Sequence, residues 1–133
     1  MMYLTEVEAV QYSDIVQEHF EHPRNVGVIA AADAEAVVSN PACGDIMHLY
    51  LRIENDCITD AKFKTMGCPA AIAAGSVTTA LLIGRGVEEA LALSRAEVNT
   101  ALGGLSPQKV HTSVLAEDAV RAALKKYRQR SQA

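Results

Sequence analysis

Two of the three cysteines sit in short loops that bracket the most regular strand pattern in the chain. Cys43 lies in Ala42-Cys43-Gly44-Asp45, just before an alternating run from Ile46 to Glu54. Cys68 lies in Met66-Gly67-Cys68-Pro69, between a second alternating run and a helical segment. A third polar segment, Lys109-Val110-His111-Thr112-Ser113, stands at the entry to the last long helical pattern. Thiolate, imidazole and carboxylate are the donors that zinc and iron take, and all the plausible soft-metal ligands fall in these three segments. Singly, each residue has an ordinary reading. Free cysteine is a common buried residue, Asp45 after Gly44 suits a turn or cap, and Lys109 or His111 alone is a surface group. Only the combination points to a metal.

The elements around these loops explain how they meet. Met47, Leu49, Leu51 and Ile53 alternate with His48, Tyr50, Arg52 and Glu54, the period of a half-buried strand. Asn55-Asp56 is a two-residue hairpin turn, and Ala61, Phe63 and Thr65 alternate with Asp60, Lys62 and Lys64 beyond it. Pairing these runs puts Asp45 opposite Thr65–Met66, so Cys43 and Cys68 emerge at the open end of the hairpin. Cys57 belongs to the turn end, several residues away at about 3.3 Å each. Cys68 also precedes Pro69 at the first helical position, where free N–H groups and the positive end of the dipole suit a thiolate.

The remaining pattern predicts a first helix over 12–22, capped by Ser13 or Asp14 and stopped by Pro23. A turn at Arg24–Gly27 and a short strand over 36–40 follow. Helices are expected from Pro69 to about Gly84, over 87–93, from the capping box Ser94-Arg95-Ala96-Glu97 to Gly103, and from Ser106-Pro107 through His111 to about Arg128. His19 and His48 fall within a helix and on a strand's polar face, without a metal role. Strands first and helices after imply an α+β fold: a small three-stranded antiparallel sheet with helices packed on one face.

At 133 residues the chain is one domain, residues 1–133 with 1–11 as an N-terminal extension, and it should bury a core unaided. A net charge of −4 argues against nucleic acid as the main partner. Three cysteines without CxxC pairs suit a reducing compartment rather than a disulfide framework. Residues 1–11 lack the marks of a signal or transit peptide, and the apolar stretch Ala70–Ile83 is too short and polar to span a bilayer. A soluble cytoplasmic protein without a membrane partner is the expectation.

Over nearly the whole chain, from Tyr12 to about Tyr127, the sequence resembles the IscU and NifU iron–sulfur cluster scaffold family. The likeness is carried by Tyr12-Ser13 through His22-Pro23-Arg24-Asn25-Val26-Gly27, by Asn40-Pro41-Ala42-Cys43-Gly44-Asp45, by Phe63-Lys64-Thr65-Met66-Gly67-Cys68 and by Lys109 to Ala119. The short spacing between the second and third motifs matches IscU and NifU rather than the zinc-binding SufU branch. The resemblance implies a non-enzymatic scaffold that receives sulfur from a cysteine desulfurase, holds a labile 2Fe–2S cluster or iron, and passes it to apo-acceptor proteins. It places the ligands at Cys43, Asp45, Cys68 and His111, with no catalytic residue.

Thr112 stands where that family has its third cysteine. A neutral hydroxyl is a poor ligand beside thiolates and cannot carry a persulfide, so sulfur receipt at this position is lost. Leu105-Ser106-Pro107-Gln108-Lys109 matches the family's Hsp70-chaperone segment only at Leu105, Pro107 and Lys109, which leaves chaperone-driven release unsupported. Pro69 replaces a usual glycine. Two cysteines, one carboxylate and one imidazole still make four ligands. They could hold a mixed-ligand 2Fe–2S cluster or one tetrahedral zinc, the latter suiting a paralogue that docks on a desulfurase and modulates it. An enzyme with Cys68 as nucleophile and His111 as base is the remaining alternative.

Overall fold

A computed structural model of the protein describes residues 13–41, 44–105 and 109–132. Tyr12, Cys43 and the Ser106-Pro107 segment lie outside them. The elements run α1 (Asp14–Glu21), β1 (Ala34–Asn40), β2 (Asp45–Glu54), β3 (Cys57–Met66), α2 (Pro69–Leu82), α3 (Val87–Leu91), α4 (Arg95–Ala101) and α5 (His111–Gln132).

The strands form one sheet in the order β1-β2-β3, both pairs antiparallel. Asn55 and Asp56 close the β2–β3 hairpin with φ of 52° and 62°, the left-handed pair a primed turn requires. Met47, Leu49, Leu51 and Ile53 are buried on one face with Ala34, Ala36 and Phe63. Helix α5 lies on β1 and β2, α2 on β3, and α1 on α2. The opposite face carries Val37, Ile46, His48, Lys64 and Met66. There His48 stacks on Tyr50 and reaches Glu35 Oε2 at 2.9 Å, a polar surface role that a half-buried strand makes legible.

Helix α2 is the centre of the core. Ala70, Ala71, Ala73, Ala74, Gly75 and Ser76 are all buried, and these small residues let the helix approach the sheet closely. Gly75 shows how closely. A Cβ there would meet the Phe63 ring at 2.4 Å.

The N-terminal motif anchors this helix. Ser13 Oγ accepts the Val16 N–H and caps α1. Beyond α1, the Phe63 N–H donates to the Asn25 carbonyl and the Gly27 N–H to the Phe63 carbonyl, both at 2.9 Å. The Arg24 N–H donates to Ser76 Oγ at 2.8 Å, and Asn25 Nδ2 to Thr79 Oγ1 at 3.1 Å. His19 Nδ1 lies 2.7 Å from Ser76 Oγ. Burial, and then the Arg24 guanidinium, holds the His19 ring below its usual pKa.

Four boundaries differ from the pattern. Strand β1 begins at Ala34 because Ala34 and Ala36 both face the core. The Asn55-Asp56 pairing continues through a β-bulge at Arg52/Ile53 that no glycine announces. Helix α3 stops at Leu91. Helix α5 starts at His111 after a turn at Lys109-Val110, and it runs to Gln132. The capping-box expectation at Ser94 holds for half the box: Ser94 Oγ accepts the Glu97 N–H, while the Glu97 carboxylate pairs with Arg85. Among the described residues no helix is long and apolar enough to cross a membrane.

An ion pair between a buried carboxylate and a half-exposed guanidinium ties α4 to α5. Glu117, 3 % exposed, accepts hydrogen bonds from the Arg95 N–H, Nε and Nη2 at 2.8, 3.0 and 2.7 Å. Arg121 adds a 3.5 Å contact. Burial pushes the carboxyl up, but the Arg95 bonds and the Arg121 charge outweigh it and hold the carboxyl below its ordinary value.

Two stability predictions follow from these contacts. Gly75→Ala gains about 1 kcal/mol of helix propensity but overpacks the Phe63 ring at a typical cost of about 1–3 kcal/mol. With a 2.4 Å approach the clash wins, so thermal denaturation should show a lower Tm. A carboxyl with a depressed folded pKa adds stability that is present above its unfolded value and is lost as pH falls through the folded one. Glu117→Gln leaves behind a half-exposed Arg95 rather than a buried charge, so urea titration at pH 7 should show a loss of about 1–3 kcal/mol. The gap should narrow as pH falls past the ordinary glutamate value of about 4.3 and close only below the depressed folded one.

Candidate metal centre

Strand parity explains the position of Asp45. Asp45, Met47 and Leu49 are alternate residues of β2, so the carboxylate lies on the helix-covered face, 4 % exposed. Gly44, with φ of 77°, delivers the chain into the strand, and its N–H donates to the Asn40 carbonyl at 2.7 Å. The starts of two helices converge on that carboxylate. Cys68 is the N-cap residue of α2, extended at φ −72° and ψ 166°, with Pro69 at the next position. His111 is the first residue of α5. Both helix dipoles therefore present their positive ends to a carboxylate and a thiol, two donor types that a metal takes.

The donor atoms are close. Cys68 Sγ lies 3.7 Å from Asp45 Oδ2, and His111 Nε2 lies 3.4 Å from the same oxygen. One atom from each of the three residues falls within 4.8 Å of the others. His111 Nε2 is buried and finds no hydrogen-bond partner among the described residues, despite its closeness to Asp45. A buried ring nitrogen left without a partner beside a thiol and a carboxylate fits coordination of a cation better than a closed hydrogen-bond network.

The structure brings Asp45, Cys68 and His111 together; Cys43 lies outside the described residues. Cys57 lies at the other end of the hairpin, opposite Glu54, as its sequence position predicts. Thr112 is fully buried beside His111, and its Oγ1 donates to the Lys109 carbonyl at 2.8 Å. That hydroxyl tightens the first turn of α5 rather than joining the donor group. A groove on the far face, lined by Val37, Ile46, His48, Lys64, Thr65 and Met66, contains none of the donor atoms.

Gly67 is a residue that the sequence reading passed over. A Cβ at this position would meet Asp45 Oδ1 at 2.5 Å. The signal was present: continuing the alternation of Met47 and Leu49 back to Asp45 turns its side chain inward, against the Gly67-Cys68 bend.

The family profile described as "NifU-like N terminal domain" matches residues 11–133. The chain is 50 % identical over 116 residues to "Iron-sulfur cluster assembly scaffold protein IscU 1" of Archaeoglobus fulgidus, covering 87 % of this chain and 76 % of that protein. It is 46 % identical over 121 residues to "Iron-sulfur cluster assembly scaffold protein IscU" of Azotobacter vinelandii, covering 88 % and 94 %. The fold is similar to the crystal structure of an N-terminal NifU-like protein from Brucella abortus, with a TM-score of 0.76, 19 % identity and coverage of 89 % and 94 %.

Cobalt(II), which reports thiolate ligation in the visible and near-ultraviolet, tests this donor set. Asp45→Ala and His111→Ala should each weaken cobalt binding by at least about tenfold. Thr112→Ala should leave both affinity and spectrum unchanged, because its hydroxyl is directed at the Lys109 carbonyl.

Proposed function

The chain belongs to the NifU-like N-terminal domain family, and on that premise we propose that it is an iron–sulfur cluster assembly scaffold whose cargo is held by Cys43, Asp45, Cys68 and His111. The observation that carries this reading is the convergence of Asp45, Cys68 and His111 at two helix starts in a chain so similar to proteins named as scaffolds. Cys43, two residues before Asp45 in sequence, supplies the second thiolate.

The donor set suits a carrier. A 2Fe–2S cargo needs four protein ligands, two per iron. Thiolates hold iron strongly, and a carboxylate and an imidazole complete the count with weaker, exchangeable bonds. Asp45 also carries charge that offsets the metal in a buried place. The turn Lys109–Thr112 and the bend Gly67–Pro69 bring ligands from separate segments, so each can be released as the cargo leaves. The Archaeoglobus and Azotobacter relatives are named as scaffolds, which supports a holding role, with acceptor iron–sulfur proteins as the onward partners.

A cysteine desulfurase is the sulfur donor in this reading. Persulfide transfer needs a thiolate to attack the outer sulfur of the donor, releasing the donor's thiolate. Cys43 and Cys68 can accept it; Thr112 cannot.

Anaerobic reconstitution with ferrous iron, cysteine, a desulfurase and a thiol reductant, which takes the persulfide sulfur to sulfide, tests the proposal. A species absorbing in the visible is expected, dependent on both Cys43 and Cys68 and lost on mixing with an apo-ferredoxin as the acceptor gains its own spectrum. A colourless protein that retains only zinc under these conditions would overturn it. With the desulfurase and cysteine alone, without iron or reductant, Thr112→Cys should raise persulfide loading measured by mass spectrometry. Unchanged loading would contradict position 112 as the missing acceptor.

A further inference from the structure

We propose that Gly67 is a positioning residue for the metal centre: the missing side chain there is what lets the Asp45 carboxylate lie between Cys68 and His111. The inference rests on the metal-site reading and explains how one donor of that site is held.

Glycine is usually demanded by backbone conformation, and that reason does not apply. Gly67 is not among the residues with positive φ, which include Gly27, Gly44, Gly84, Gly103 and Gly104. An L residue can adopt its backbone. The demand is steric and specific. The three atoms nearest an added Cβ are Asp45 Oδ1 at 2.5 Å, Asp45 Cγ at 2.7 Å and Asp45 Cβ at 3.1 Å. All belong to one side chain, and two of the distances are far inside van der Waals contact. By contrast, Gly44 has a positive φ and nothing within 4 Å of its added Cβ. Its reason lies in the backbone alone.

Asp45 cannot step aside cheaply. Its backbone is fixed in β2, opposite Asn40 of β1, and its side chain is buried. Rotating the carboxylate away from a methyl at position 67 carries Oδ2 away from Cys68 Sγ and His111 Nε2 together, since both lie against that one oxygen. A single methyl group would thus act at a distance of one residue as the loss of a ligand.

A double-mutant cycle between Gly67→Ala and Asp45→Ala tests this, with cobalt(II) titration followed by visible absorption and with the Tm of metal-free protein. In the wild-type background Gly67→Ala should weaken cobalt binding by at least about tenfold and give the spectrum of Asp45→Ala. In the Asp45→Ala background the same substitution should change affinity by less than about threefold, since only the 3.1 Å contact remains. If Gly67→Ala lowers the metal-free Tm, adding Asp45→Ala should restore it. Additive effects on affinity, a wild-type spectrum for Gly67→Ala, or a Tm not recovered in the double variant would overturn the proposal. If Asp45→Ala alone leaves cobalt binding intact, the metal-site reading fails, while the metal-free Tm cycle still decides whether Gly67 accommodates Asp45.

Discussion

One buried carboxylate organises this end of the molecule. Asp45 enters the sheet on the helix-covered face, where a charged group is costly unless something compensates it. Compensation comes from the starts of α2 and α5, which bring the positive ends of their dipoles to the same place, and from the thiol and imidazole they carry. The register of β2 against β3 fixes where the carboxylate lies, and the close packing of α2, allowed by its small residues and by Gly75 against Phe63, fixes where Cys68 lies. The core and the site share the same requirement. Both depend on α2 sitting low on the sheet.

That arrangement gives a physical meaning to weak binding. A scaffold must hold its cargo long enough to complete it and then lose it to an acceptor. Four thiolates would favour holding; in the proposed donor set, a carboxylate and an imidazole in two of the positions would shift the balance toward release. The buried hydroxyl of Thr112 follows the same line. It retains the helix start at His111 through its bond to the Lys109 carbonyl, so the local geometry survives where a third thiol would have added sulfur chemistry.

Much of this was legible in the residues themselves. The alternation of Met47, Leu49 and Leu51 located β2, Asn55-Asp56 located the hairpin turn, and Pro69 and Gly84 bounded α2, because each reflects a local requirement of backbone or periodicity. The hairpin also placed Cys57 away from the site. What escaped were features set by tertiary contact. The bulge at Arg52/Ile53 has no local signature. Glu97 chose Arg85 over its own helix start, a choice that depends on where α2 ends. The segment Arg24–Gly27 reads locally as a bare turn, yet it pairs with Phe63 of β3 and ties the end of α1 to Ser76 and Thr79 on α2. Gly67 is legible only through the parity of β2, because its partner, Asp45, is 22 positions earlier in the chain.

The central claim is that metal at this site is held by two sulfurs and two lighter atoms, with no third sulfur at position 112. Zinc K-edge X-ray absorption on the zinc-loaded protein measures that directly, since zinc is redox-silent and reports the donor set alone. Two sulfur neighbours at about 2.3 Å and two nitrogen or oxygen neighbours at about 2.0–2.2 Å are expected, with one sulfur lost in Cys68→Ser. Three or more sulfurs, or a sulfur count unchanged by Cys68→Ser, would contradict it.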